Sequence, residues 1–415
     1  MRSLHLANVM LDGELTALRA VDGVIVGIGP DVEMAEDDEL LDGHGMALAP
    51  GLVNGHGHAA MTLFRGYGDD LRLADWLEQR IWPAEAKLTA DDVYWGTRLA
   101  CIEMIRSGTT RFWDMYWHPP EVARAAVDAG IRATVGQPIM DVEGTPEGAR
   151  PEDVADGLDE LVKFGPRVEG SITPHAIYTV SEPSLRLVAE LSRAREAKIQ
   201  IHLAETEDEV QRCVAEHGCK TAQYLDRLGL LHDRIVLAHC VWLDDDELEL
   251  IAERGATIVT NPVSNMKLAV GRAFPYDAAK RAGAAVGIGT DGAASNNGLD
   301  LLADLKVLAL LQKHAARDPA VLPAHEAWDL ATGSSAPLLG GTPLEPGAPA
   351  DFVLVDLDQP ELVPAPLVEA LVYSASSAAI DTVVVDGRVL MRGRVVDGEA
   401  EVREHAAAAA RRIRQ

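Results

Sequence analysis

Short apolar runs rich in β-branched residues recur through the middle of the chain, at residues 48–53, 109–113, 133–136, 169–172, 199–203, 235–238, 257–260 and 285–288. Between them lie longer stretches whose apolar positions repeat at helical spacing. One begins at Thr89 with Asp92 three residues on, the signature of a capping box, and stops at Gly108. Strand and helix alternating in this way predict an α/β protein built on a (β/α)₈ TIM-like barrel. Both ends follow another pattern. Residues 15–21, 23–28, 351–356 and 381–390 read as strands, and Asp-Gly pairs punctuate them. Val385-Asp386-Gly387-Arg388 between two apolar runs is a hairpin signal. The Pro/Gly-rich stretch 340–349 separates the two styles. The organisation expected is a β-sandwich domain assembled from residues 1–48 and 349–415, with the barrel, 49–348, inserted between its halves. Residues 399–415 are Ala-rich and end in Arg411-Arg412-Ile413-Arg414, which suits a helix with cations at its C-terminal end.

With 415 residues, 47% of them hydrophobic, the chain can bury a large core. Its net charge of −28, from 65 acidic and 37 basic residues, repels phosphate backbones and anionic headgroups. Neither nucleic acid nor membrane partners are expected. No apolar run approaches membrane-spanning length, and the N-terminus carries no signal-like segment. Cys101, Cys213, Cys219 and Cys240 form no CxxC pair and read as reduced packing residues of a cytoplasmic protein.

The chemistry begins with His56-Gly57-His58. Residues two apart on a strand share a face, so two imidazoles can converge on one metal ion. Alone the pair says little, since Gly55 and Gly57 could simply make a polar turn. Its company changes that: His175, His202, His239 and Asp291 also stand where predicted strands end, the place where barrel enzymes build their sites. His56, His58, His202 and Asp291 would supply four groups to one metal and leave a position for water. Imidazole and carboxylate without thiolate suit Zn²⁺, and also Fe²⁺ or Mn²⁺. No lysine closes the fourth strand, so a single metal is the simpler expectation. Glu205, three residues past His202, reads either as an acid at a helix N-terminus or as a general acid/base curled over the metal.

These residues sit in motifs that resemble the amidohydrolase superfamily, in the branch of 5-methylthioadenosine/S-adenosylhomocysteine and 5′-deoxyadenosine deaminases. The resemblance spans nearly the whole chain. It is carried by residues 50–66, by Ile81-Trp82-Pro83-Ala84-Glu85, Thr173-Pro174-His175 and His202-Leu203-Ala204-Glu205-Thr206, and by residues 261–268 and 289–297. Trp-Pro-x-Glu together with Gly-Ala-Ala-Ser-Asn-Asn is the narrowest part. The resemblance implies a metal on His56, His58, His202 and Asp291, with Asp291 also activating water. It further implies that Glu205 protonates the purine ring and that His239 stabilises the tetrahedral intermediate. Glu85 would hold the ribose hydroxyls, His175 would contact the nucleoside, and Arg150 would reach the substrate, unless it is a surface arginine beside Glu147 and Glu152. The implied assembly is a homodimer or homotetramer. One departure is Gly57, where the family usually has threonine. The alternative is deamination or dechlorination of another heterocycle, guanine or an s-triazine, on the same barrel; a ribose-holding Glu85 would have no purpose there. Nucleic-acid deaminases use H-x-E with P-C-x-x-C, which this chain lacks.

Overall fold

The computed structural model describes residues 2–414. Eight parallel strands form the barrel: β1 (Leu52–Asn54), β2 (Thr109–Met115), β3 (Arg132–Gly136), β4 (Val168–Pro174), β5 (Lys198–Leu203), β6 (Ile235–His239), β7 (Thr257–Thr260) and β8 (Ala285–Ile288). They pair in chain order, and a short strand at Pro138–Ile139 adds to the edge of β4. β3, β6 and β7 are buried along their whole length, as expected of strands enclosed by helices on one face and by barrel side chains on the other. Closure is made just past the strands. The Gly55 N–H donates to the Ile288 carbonyl at 2.9 Å, and the Asp291 N–H to the His56 carbonyl at 3.1 Å.

The apolar run 48–53, expected as one barrel strand, is two. Met46–Pro50 pairs antiparallel with Phe352–Asp356 in the terminal sheet, while Leu52–Asn54 pairs parallel with β2. Gly51 makes the crossing. A β-carbon there would lie 2.2 Å from Thr110 Oγ1, so the chain passes against β2 closer than any side chain permits. Gly57, by contrast, has room: a β-carbon would meet nothing nearer than the Asp291 carbonyl at 3.5 Å. The glycine between the two histidines is therefore not forced by packing.

The termini build one nine-stranded mixed sheet around a core that includes Leu6, Leu18, Ile25, Leu48, Phe352 and Val384. Its hairpins turn on the Asp-Gly pairs. At Asp386-Gly387 both residues have positive φ, 55° and 66°, the backbone a tight two-residue turn demands. The last helix, Glu399–Ile413, lies on the helix Ala90–Arg106. Arg106 bonds Glu399 at 2.9 Å, Arg412 bonds Asp92, and Trp95 stacks on His405 with ring centroids 4.0 Å apart. Thr89 and Asp92 form the capping box their spacing predicts. Among the described residues no helix is long and apolar enough to cross a membrane.

A buried ionic cluster ties β3 to the terminal sheet. Arg132 donates to Asp351 through Nε at 2.6 Å and Nη2 at 3.1 Å, and Nη2 also reaches Asp386 at 3.1 Å. Asp351 accepts the Asp386 amide as well, at 2.7 Å. Removing one partner strands a desolvated charge. Asp351→Ala is expected to lower unfolding stability by about 3 kcal/mol, because Arg132 loses its two-pronged buried partner and keeps only the partly exposed Asp386. Urea unfolding followed by circular dichroism checks this, and a loss under 1 kcal/mol contradicts it.

Candidate active site

The residues singled out by their position at strand ends come together at the C-terminal mouth of the barrel. His56 and His58 follow β1, His175 follows β4, His202 lies in β5, His239 ends β6 and Asp291 follows β8. Asp291 Oδ1 lies 3.4 Å from His56 Nε2 and 3.2 Å from His58 Nε2. His202 Nε2 is 3.4 Å from His58 Nε2. Two of these rings are fixed by backbone carbonyls at their far nitrogens. His58 Nδ1 meets the Met115 carbonyl at 2.6 Å, and His202 Nδ1 meets the His175 carbonyl at 2.7 Å. A ring that donates through Nδ1 turns a lone pair at Nε2 toward the common centre, the arrangement of a metal-ligating histidine. His56 is fully buried and neither ring nitrogen has a hydrogen-bond partner. Burial, followed by the charge of His58, lowers its pKa to about 4 despite Asp291 beside it. A neutral imidazole with an unsatisfied buried nitrogen is poised to ligate.

These groups fit a divalent cation. Two nitrogens bound tetrahedrally at about 2.1 Å lie roughly 3.4 Å apart, as His58 and His202 do. His56, His58 and Asp291 each offer a ligand atom within 4.8 Å of the others, and so do His56, His202 and His239. Burial works against a charge on Asp291, yet His56 and His58 hold its carboxyl well below the usual carboxylate range. The backbone is strained where these side chains are aimed: φ is 72° at His239 and 61° at Asp291, a region non-glycine residues rarely adopt.

Beside this centre opens a cavity of about 600 Å³ including its mouth. Glu205 is buried in its wall, with Oε1 3.8 Å from His239 Nδ1. Burial, reinforced by the charge of Asp291, pushes the Glu205 carboxyl up to about 8, so it carries its proton at neutral pH. Of the two readings of Glu205, its enclosure favours the acid/base over the acid solvated at a helix start. Glu85 lines the same cavity beside Tyr116 and Trp117, and loss of water contact pushes its carboxyl up to about 7 although both neighbours favour the charged form. The turn before it, Leu77–Ile81, is a π-helical widening ahead of Pro83, which has no N–H to continue the ladder. His175 lines the cavity floor, with Nδ1 2.9 Å from Thr179 Oγ1. Leu73, Trp76, Leu77, Met140 and Trp82 supply apolar walls. One predicted residue stays out: Arg150 is 74% exposed, 3.7 Å from Glu147, in a surface groove that adjoins the cavity at Met140.

Other residues bear on the site although their sequence positions gave no sign of it. Ser264 and Ser295 donate to Asp291 Oδ2 at 2.6 and 2.9 Å, and Asn265 Oδ1 lies 2.7 Å from His239 Nδ1. Asp114 Oδ1 accepts the Ala59 amide at 2.6 Å, pinning the turn after His58. Ser264 and Asn265 lie in the motif at 261–268 and Ser295 in the one at 289–297, so the resemblance marks their neighbourhood without assigning them.

The arrangement combines a cradle for one cation, an ionised aspartate, a protonated carboxyl and an apolar pocket with a second carboxyl in its lining. Known proteins share both sequence and shape. Residues 47–390 match the model of the amidohydrolase family. A 5′-deoxyadenosine deaminase of Methanoregula boonei is 47% identical over 91% of this chain and 87% of its own. A 5-methylthioadenosine/S-adenosylhomocysteine deaminase of Archaeoglobus fulgidus is 45% identical over 88% of this chain and 87% of its own. The crystal structure of an adenosine deaminase from Xanthomonas campestris with bound zinc superposes with a TM-score of 0.92 at 34% identity, covering 99% of this chain and 98% of that one. The barrel, the grouped histidines and aspartate at its mouth and these similarities lead to one conclusion: the chain belongs to the amidohydrolase family.

Proposed function

We propose that this enzyme hydrolytically deaminates adenosine-type nucleosides (5-methylthioadenosine, S-adenosylhomocysteine, 5′-deoxyadenosine, adenosine) to the inosine analogue and ammonia. The observation that carries the reading is Glu205: a protonated carboxyl in the wall of an apolar cavity, beside the His/Asp cradle and in the same cavity as Glu85. The deaminase names of relatives sharing over 40% of their residues support it.

In this reading His56, His58, His202 and Asp291 hold one divalent cation, zinc by preference because the donors are imidazole and carboxylate. The cation, when bound, supplies Lewis acidity and makes water nucleophilic at neutral pH. The chain does the rest. Asp291, steadied by hydrogen bonds from Ser264 and Ser295 to its Oδ2, takes the proton that the attacking water gives up. Glu205 delivers its proton to the purine ring nitrogen next to C6, so that the ring accepts the electron pair as the C6–O bond forms. His239, fixed by Asn265, hydrogen-bonds the oxygen arriving at C6. Asp291 then passes the proton it took from water to the amino group, ammonia leaves C6, and the C6 hydroxyl gives its proton to Glu205, which restores the acid and leaves the C6 carbonyl. Glu85 receives the ribose hydroxyls and His175 packs on the nucleoside. Arg150, outside the cavity, is assigned to a substrate extension long enough to leave the mouth along the groove beside Met140. The working form is proposed as a cytoplasmic homodimer or homotetramer; its four cysteines are free and buried.

Deamination of guanine or an s-triazine on the same barrel is the second reading, and Glu85 separates the two. The deciding assay is kcat/KM for the four nucleosides, with guanine as control, by the ultraviolet change from adenine to hypoxanthine. Turnover of guanine alone overturns the adenosine assignment. Glu85→Gln is expected to lower kcat/KM for nucleosides while sparing any activity on free adenine; equal losses on both contradict a ribose contact. Since Glu205 acts as an acid, kcat/KM should fall as pH rises through about 8, where the carboxyl loses its proton. Glu205→Gln is expected to reduce kcat by about 10²–10⁴-fold and to abolish that limb. Removal of metal by a chelator should abolish turnover, and one equivalent of Zn²⁺ per chain, counted by atomic absorption, should restore it. Full activity of metal-free protein would be incompatible with the cradle's role.

A further inference from the structure

Glu205 must point at one ring nitrogen, yet its carboxyl makes no short ion pair that would fix it: His239 Nδ1 is 3.8 Å away. Its direction is therefore set by its backbone. The segment leaving β5 is unusual. Ala204 has a left-handed φ of 49°, which turns the chain sharply between Leu203 and Glu205. On one flank the carbonyls of Leu203 and Ala204 accept the amides of Cys240 and Trp242, at 2.9 and 2.8 Å, so the turn is bound to the loop after β6. Its own amides point the other way, into the protein.

Both of those amides are taken by one side chain. Glu209 Oε1 accepts the Ala204 N–H and Oε2 the Glu205 N–H, each at 2.9 Å. Glu209 is itself buried. It sits in the first turn of the helix Glu207–His217, whose N-cap, Thr206, accepts the Glu209 N–H through its hydroxyl at 3.3 Å. An ordinary capping box would send the glutamate back to the amide of Thr206. Here the carboxyl group passes over the cap and bridges the two residues before it. A helix needs only its first amides satisfied, and those of Ala204 and Glu205 lie outside the helix. Helix capping thus leaves this grip unexplained.

Building on the assignment of Glu205 as the proton donor, we propose that Glu209 is its positioning residue. By clamping the amides of Ala204 and Glu205 with its two oxygens, it holds the left-handed turn that aims the Glu205 carboxyl at the substrate ring. Glu209 touches neither substrate nor metal; it acts through the backbone. Glutamine at 209 keeps the shape but replaces one acceptor with an NH₂ facing an N–H, so one arm of the clamp opens.

The test is a double-mutant cycle on metal-loaded enzyme with 5-methylthioadenosine as substrate: wild type, Glu209→Gln, Glu205→Gln and the double variant. Metal content and Tm are measured on each. Glu209→Gln is expected to lower kcat by about 10- to 100-fold, the penalty for a catalytic group displaced by about an ångström. KM should change less than about twofold, and metal content should not change. In the Glu205→Gln background the same substitution should lower kcat by less than about twofold, because the group it positions is already gone. Equal losses in the two backgrounds overturn the proposal and make Glu209 a structural residue, as does an undiminished kcat in Glu209→Gln. If Glu209→Gln fails to fold, Glu209→Asp, which keeps the two carboxyl oxygens and retracts them by one methylene, enters the same cycle with the same criteria. A wild-type enzyme that deaminates none of the adenosines refutes the function and this role together, whereas an active wild type with additive losses refutes only the role.

Discussion

Closure of the barrel between β8 and β1 is made by backbone hydrogen bonds within reach of the site itself: Gly55 to Ile288, and Asp291 to His56. The second joins the peptide of one candidate ligand to the peptide of another. The separation of the His56 ring from the Asp291 carboxylate is therefore fixed by the same bond that completes the fold. The Gly289 backbone runs so near this seam that a β-carbon there would lie 2.8 Å from the His56 amide nitrogen. Stability and site geometry share one set of contacts at this place.

Grouping the charges in a buried mouth carries its own electrostatic logic. Each carboxyl here is shifted, and the shifts go in opposite directions. Asp291, beside two imidazoles, is held ionised; Glu205 and Glu85, in the apolar wall, are held toward the neutral form. One pocket thus keeps a base and an acid ready at the same pH, with environment rather than residue type making the difference.

Much of this was legible in the sequence because it is written in short-range code. Apolar, β-branched runs alternating with helical spacing gave the barrel, the Asp-Gly pairs gave the hairpins, and the recurrence of His and Asp at strand ends gave the residues that meet at its mouth. What could not be read depends on tertiary approach. The run 48–53 looks like one strand because both its halves are apolar; only Thr110, more than fifty positions away, shows that Gly51 divides two sheets. Ser264, Asn265 and Ser295 follow no spacing that relates them to Asp291 or His239. Arg150 illustrates the converse: the resemblance implies reach toward a substrate, but direction is a property of the folded loop.

The crossing at Gly51 also bears on how the molecule is held together. Met46–Pro50 lies between Ser3–Leu11, from the beginning of the chain, and Phe352–Asp356, from near its end, and five residues past it the chain reaches Gly55 and the barrel seam. The two ends of the polypeptide therefore clasp the root of the first barrel strand like a buckle. The terminal sheet is thus the anchorage of the barrel strand that leads into His56 rather than an appendage to the barrel.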